Sequence, residues 1–147
     1  MIILILLKMM LTEKGILRQF SLTIYPVDFV VAIGEVEDEV NNHYKPCDGN
    51  YLYISAPQYP SHATTYECYS KDTGKRCLMI WFGNRLWCTY ENVTHESGHA
   101  ALELFRYIGS KVSTEDQEPF CYLAGTFARL IAGCYDELKN YKSNKKK

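Results

Sequence analysis

Residues 91–109 read ENVTHESGHAALELFRYIG, and the spacing of their apolar positions decides what kind of chain this is. Val93, Ser97, Ala100, Ala101, Leu104 and Ile108 fall on one side of a helix turning about 100° per residue, and Gly109 stands where the left-handed end of a helix favours a residue without a Cβ. Inside this helix His95, Glu96 and His99 form an HExxH pattern. With His95 set at zero, His99 lies about 40° away, whereas the apolar stripe centres near 180°, so both histidines point away from the packing face. Two imidazoles at i and i+4 can reach one ion at roughly 2.0–2.1 Å, and the Glu between them can act as base for a bound water. A chain of this composition carries such a pattern by chance about once in a hundred. The alternative is a pair of ordinary surface or core histidines.

Upstream, the period is that of strands. Leu22–Tyr25 and Val27–Ile33 are β-branched and aromatic runs separated by Pro26, and Gly34 closes the second. Glu35–Tyr44 opens with Glu35, Glu37, Asp38 and Glu39, acids that the positive end of a helix dipole favours, and Lys45-Pro46 ends it. Residues 46–63 are rich in Tyr, Pro, Ser, Gly and Asn, with a possible short strand at Tyr51–Ser55. Thr64–Ser70 and Arg76–Phe82 flank a turn at Lys71–Gly74, and Gly83-Asn84 suits a second tight turn leading to Arg85–Thr89, which together predict an antiparallel meander. Strands followed by helices place the chain in the α+β class.

Downstream, Pro119 fits the first turn of a last helix bearing Phe120, Leu123, Phe127, Leu130 and Ile131 and running to about Tyr141. A catalytic zinc takes three protein ligands and leaves a position for water. Glu115, Asp116 and Glu118 lie ahead of this helix. Glu118 is chosen because Pro119 fixes its backbone and 18 residues separate it from His99, enough for a turn and a return. Its alternative role is an N-terminal dipole or cap residue. Tyr122, Gly125 and Arg129 continue its stripe.

Lys+Arg number 16 against Asp+Glu 17 in 147 residues, a balance that argues against a general nucleic-acid binder, and a hydrophobic content of 47% supplies a real core. The reading is one domain over residues 16–141, an apolar N-terminal extension at 1–15 and a basic tail at 142–147 within the cluster Lys139, Lys142, Lys145, Lys146 and Lys147. The apolar run Met1–Leu11 is interrupted by Lys8 and is shorter than the roughly 20 residues a spanning helix needs. It lacks the basic front and small-residue cleavage site of a signal peptide, and reads as a strand or helix joining the core or as an extension upstream of a start at Met9 or Met10. No membrane and no nucleic-acid partner is expected. Six cysteines without a CxxC pair read as cytoplasmic free thiols, although Cys68 and Cys77 could meet across a hairpin. Tyr51, Tyr53, Tyr59 and Tyr66 either line a peptide groove or roof the sheet.

Taken together, the HExxH at 95–99, the short loop, Glu118-Pro119 and Tyr122-Leu123-Ala124-Gly125 resemble compact zincin-like metallopeptidases of the gluzincin kind. The match looks most like small proteins of phages, prophages and mobile elements that pair an HExxH helix with a Glu-Pro-x-x-Tyr-Leu-x-Gly helix. The resemblance covers about a quarter of the chain. It implies one Zn²⁺ held by His95, His99 and Glu118, with Glu96 as general base, hydrolysing a peptide or protein substrate in the cytoplasm of a bacterial host. Tyr122 would then help stabilise the oxyanion, with Arg129 or Arg106 orienting carboxylates. Zincins hold substrate backbone along a sheet edge near the HExxH helix, which the preceding strands would provide. A catalytically silent, zinc-stabilised scaffold that binds a host factor is the rival expectation. The chain departs from large gluzincins in having its Glu at the start of the helix, without the Asn-Glu-x-x-Ser-Asp surroundings.

Overall fold

The computed structural model describes residues 4–58 and 61–145. β1 (Leu4–Leu11), β2 (Gly15–Leu22) and β3 (Asp28–Gly34) form an antiparallel meander, so the described part of the apolar N-terminal run is a strand. α1 (Glu37–His43) leads into the short β4 (Tyr44–Pro46), and β5 (Ala63–Ser70) and β6 (Arg76–Phe82) make a hairpin. α2 (Tyr90–Ile108) and α3 (Glu118–Lys145) complete an α+β chain. The strand order is β1-β2-β3-β6-β5-β4.

The antiparallel meander expected over residues 64–89 is reduced to the β5–β6 hairpin, and the sheet as a whole is mixed, because β3 and β6 pair in parallel. Three elements, α1, β4 and β5, intervene between them, so the chain returns through β4 and β5 and closes onto β3 with β6 rather than extending the first meander. Three local readings change as well. Leu22–Tyr25 is a tight turn closed by the Tyr25 N–H on the Leu22 carbonyl (2.8 Å), and the strand it was expected to form lies earlier, at β2. Tyr51–Ser55 is irregular. Arg85–Trp87 is a 3-10 turn, because the Asn84 side chain accepts from the Leu86 N–H (2.9 Å) and starts a helical turn where a strand would need an extended chain.

Alternation sorts the sheet into two faces. Phe29, Val31 and Ile33 of β3 and Leu78, Ile80 and Phe82 of β6 meet Ala100, Ala101 and Leu104 of α2 and Leu123, Phe127 and Ile131 of α3. The opposite face carries Val30, Met79 and Trp81, roofed by Val40 of α1, by Tyr44 and by Ile54 from the 47–58 loop. At the tightest point Gly34 has φ +92° and the Lys14 carbonyl lies 2.3 Å from where a Cβ would stand, so no other residue fits there. No helix among the described residues is long and apolar enough to cross a membrane. α3 extends to Lys145, beyond the expected end near Tyr141, and Lys146 and Lys147 lie outside the described residues.

All six cysteines are free, including Cys68 and Cys77, which the β5–β6 register places directly opposite each other. Burial pushes the Cys88 and Cys134 thiols up to about 12 and raises that of Cys47, whereas the hydrogen bond with Cys77, followed by burial, raises that of Cys68. Only Cys121 is exposed. Brief alkylation of the folded protein at pH 8 should therefore modify one thiol per chain, Cys121, and denaturation should release all six to the reagent. Recovery of four after denaturation, with Cys68 and Cys77 protected until reduction, would instead reveal an oxidised pair.

Candidate metal centre and peptide cleft

α2 begins at Thr89, whose hydroxyl accepts from the Asn92 N–H (3.2 Å), and stops at Gly109 with φ 75°, where the Ser110 N–H reaches back to the Phe105 carbonyl (2.9 Å). Between these caps the helix buries Ser97, Ala100, Ala101, Leu104 and Phe105. Two alanines facing the sheet let the helix backbone come close, and the rotation this fixes turns His95 and His99 outward and tips Glu96 down toward β5. Both imidazoles are exposed, yet their Nε2 atoms are only 3.1 Å apart. Two ligands of a tetrahedral zinc at 2.0–2.1 Å stand about 3.3–3.4 Å apart, so the pair fits two positions on one ion with minor adjustment. Their rings meet edge to face at 4.7 Å, and in the metal-free protein one imidazole can donate to the other.

Glu96 occupies a different environment. It is 7% exposed, and the Thr65 hydroxyl of β5 donates to its Oε2 (2.8 Å). Helix and strand thus hold the carboxylate beside the histidines rather than leaving it to rotate in solvent. A cleft of about 620 Å³ opens here, walled by β5 from Ala63 to Glu67 on one side and by His95, Glu96, His99, Glu103 and Arg106 of α2 on the other.

The β5 wall includes a stretch of strand edge without a strand partner among the described residues. β4 covers β5 only from Tyr44 opposite Ser70 to Pro46 opposite Cys68, after which the Cys47 N–H donates to the Glu67 carbonyl (3.2 Å). His62 and Ser70 bond toward β6, through Gly83 and Lys75. By alternation, odd-numbered residues of β5 turn their N–H and C=O groups outward. The outward groups of Ala63 and Thr65 have no backbone partner among the described residues. A strand edge left open beside a helix is a place where another extended chain can pair.

Glu118 and Tyr122 are placed elsewhere. Leu123, Phe127 and Ile131 turn one face of α3 into the core, which sends the opposite stripe of Glu118, Tyr122, Gly125 and Arg129 to solvent, where these residues line a separate shallow cleft. Phe120 packs on Phe105, so α3 starts about 15 Å of helix beyond His95. Tyr122 is 72% exposed. Glu115 and Asp116 lie in an exposed loop, their N–H groups on the Ser113 hydroxyl. Of the expected residues, the structure brings together His95, Glu96 and His99 and leaves Glu118 and Tyr122 apart. Among the described residues no three His, Cys, Asp or Glu side chains gather as an ion site.

Three cleft residues escape a reading aimed only at the motif. Glu103 follows His99 at i+4 on the same stripe, a spacing visible in the sequence. Glu67 and Thr65 come from β5, and only the strand register identifies them. Arg106 bonds both Glu103 and Glu67 (3.1 Å to the latter), and Arg76 holds the other Glu67 oxygen at 3.0 Å. Hydrogen bonding by Glu103 raises the Arg106 pKa further, so the guanidinium stays charged and the two acids stay paired. No family model, curated protein or solved structure matches this chain.

Proposed function

We propose that this chain is a metal-dependent peptidase acting on an extended peptide laid along the open edge of β5. The observation that carries this reading is the convergence of the His95 and His99 Nε2 atoms to 3.1 Å, beside a buried Glu96 carboxylate oriented by Thr65. His95 and His99 would hold the ion. When bound, zinc lowers the pKa of its water and polarises a carbonyl.

The rest belongs to the chain's own residues. Outward N–H and C=O groups of Ala63 and Thr65 fix the peptide backbone by strand pairing. Thr65 keeps the Glu96 carboxylate turned toward the histidine side of the cleft, and Glu96 accepts the proton of the attacking water and returns it to the leaving amine. Arg106, held between Glu103 and Glu67, closes one end of the cleft.

A second reading is favoured by the position of Glu118. With that carboxylate on the far stripe of α3, the histidine pair forms a weaker, two-imidazole metal site, which suits a catalytically silent zinc-binding scaffold that captures a peptide or host factor. Zinc titration followed by elemental analysis tests the metal site common to both readings. One ion per chain is expected, lost in His95→Ala and in His99→Ala. Because both side chains are exposed, each variant should keep its stability within about 0.5 kcal/mol. Wild-type protein that binds no zinc refutes both readings. Zinc binding without hydrolysis of any peptide favours the scaffold.

A further inference from the structure

The open edge of β5 has a second concavity, on the face away from the histidines. Thr64 and Tyr66 point there, toward the face carrying Met79 and Trp81, while Ala63, Thr65 and Glu67 point toward α2. The 47–58 loop rises beside this outer half of the strand. Asn41 anchors it at Ile54, accepting from the Ile54 N–H and donating to its carbonyl (2.8 Å each), and the Tyr66 hydroxyl donates to the Ser55 carbonyl (2.6 Å). Between loop and strand lies a pocket of about 440 Å³ whose walls include Tyr51, Tyr53, Ile54, Pro57, Thr64 and Tyr66. Tyr51 and Tyr53 are 64% and 65% exposed, so they present ring surface to solvent instead of roofing the core. Tyr59, also singled out in the sequence, lies outside the described residues.

Asp48, Ser61, Thr64, Tyr66 and Glu67 line both this pocket and the histidine cleft. The two concavities are therefore the two faces of one strand edge. In a paired strand, side chains directly opposite each other share a face and successive ones alternate. A peptide residue paired with Thr65 faces α2 and the histidines. The residues before and after it, opposite Thr64 and Tyr66, face the aromatic pocket.

We propose that this pocket is a side-chain subsite, selecting peptides with an aromatic or large aliphatic residue adjacent to the one that faces the histidines. This rests on the reading of β5 as the peptide's docking edge, but not on catalysis. Strand pairing supplies affinity that is blind to sequence, whereas an apolar pocket supplies discrimination because a Phe or Leu side chain leaves water on entering it and a Ser does not.

The test uses the full-length, metal-free Glu96→Gln protein and fluorescently labelled octapeptides identical except for one internal Phe, Leu or Ser, followed by anisotropy. The Phe and Leu peptides should bind about tenfold or more tightly than the Ser peptide. Tyr51→Ser and Tyr53→Ser, both at exposed positions, should reduce that ratio toward one while leaving the far-ultraviolet circular dichroism unchanged. Equal affinity for the three peptides, an unaltered ratio in both tyrosine variants, or no binding at all overturns the proposal. Glu96-dependent cleavage of Phe and Ser peptides at equal rates would preserve the peptidase reading while the subsite fails. Selective binding without cleavage by zinc-loaded wild type would do the reverse.

Discussion

Glu96→Gln should lower peptide hydrolysis by a factor of about 10² to 10⁴, with zinc content and fold unchanged. A positioned general base contributes roughly that factor, and each tenfold corresponds to about 1.36 kcal/mol in the barrier, so the loss amounts to about 2.7–5.4 kcal/mol of transition-state stabilisation. The substitution keeps the side chain's shape and removes its capacity to take a proton. Gln can still accept from the Thr65 hydroxyl through its carbonyl oxygen, so the contact between α2 and β5 survives. It also replaces a carboxylate only 7% exposed by a neutral amide, which relieves the cost of burying charge and so gives the variant no reason to unfold. Because His95 and His99 lie on the exposed side of the helix, their affinity for zinc should be little affected. The measurement is kcat/KM on one peptide at matched zinc occupancy. A Gln variant within threefold of wild type would remove Glu96 from the chemistry, and the histidine pair would then be a binding site only.

The parts of this arrangement that a sequence can disclose are those fixed within one helix. The period of Val93, Ala100 and Leu104 set the phase of α2 and Gly109 set its end, although Ile108, expected on the same stripe, is exposed in the last turn; the outward direction of His95 and His99 followed from that phase. α1 was legible through its acidic first turn and β3 through a run of β-branched residues. What crosses between elements was not. The parallel β3–β6 pairing joins segments more than 40 residues apart, and no local propensity encodes which strand the second hairpin will select. Thr65 becomes a partner of Glu96 only through the packing of α2 on the β5–β6 hairpin. Glu118 illustrates the same limit. Its stripe with Tyr122 and Arg129 is one face of a helix, turned to solvent by the burial of Leu123, Phe127 and Ile131, but it lines a cleft separate from that of the histidines. A helical wheel sends His95, His99 and Glu118 alike away from the core, and only the packing of α2 and α3 decides which outward faces adjoin. β2 was missed because Arg18 and Gln19 interrupt its apolar pattern. Both are buried, Arg18 paired with Glu137 of α3 and Gln19 bonded to Asp28 (2.9 Å) and Tyr44 (2.6 Å), so their polarity reports partners rather than exposure.

The largest expected effect on stability is at Phe127. Its ring stacks on Phe29 of β3 with centroids 4.2 Å apart and planes at 24°, and neither side chain is exposed to solvent. Phe127→Ala removes that contact and leaves a cavity between α3 and the centre of the sheet, for a cost of about 3–5 kcal/mol. Domains of this size are stable by only about 5–15 kcal/mol, so the variant should lose a large share of its stability and its Tm should fall by roughly 10 °C. Phe127→Leu fills most of the volume and forfeits chiefly the ring pairing, so its cost should be about 1–2 kcal/mol. Urea denaturation of the metal-free chains measures both, without the added stability that bound zinc would confer on the folded state. The consequence for the cleft is indirect. α3 contributes none of its lining residues, but it packs against α2 through Phe105 and Phe120 and so backs the helix that presents the histidines. The folded fraction of Phe127→Leu should bind zinc at wild-type stoichiometry, because the imidazoles and the Thr65–Glu96 contact are set by α2 on β5. An Ala variant destabilised by less than 1 kcal/mol would mean that α3 is not seated on β3. The orientation that sends Glu118 to solvent would then lose its physical basis, and Glu118 would return as a candidate third ligand.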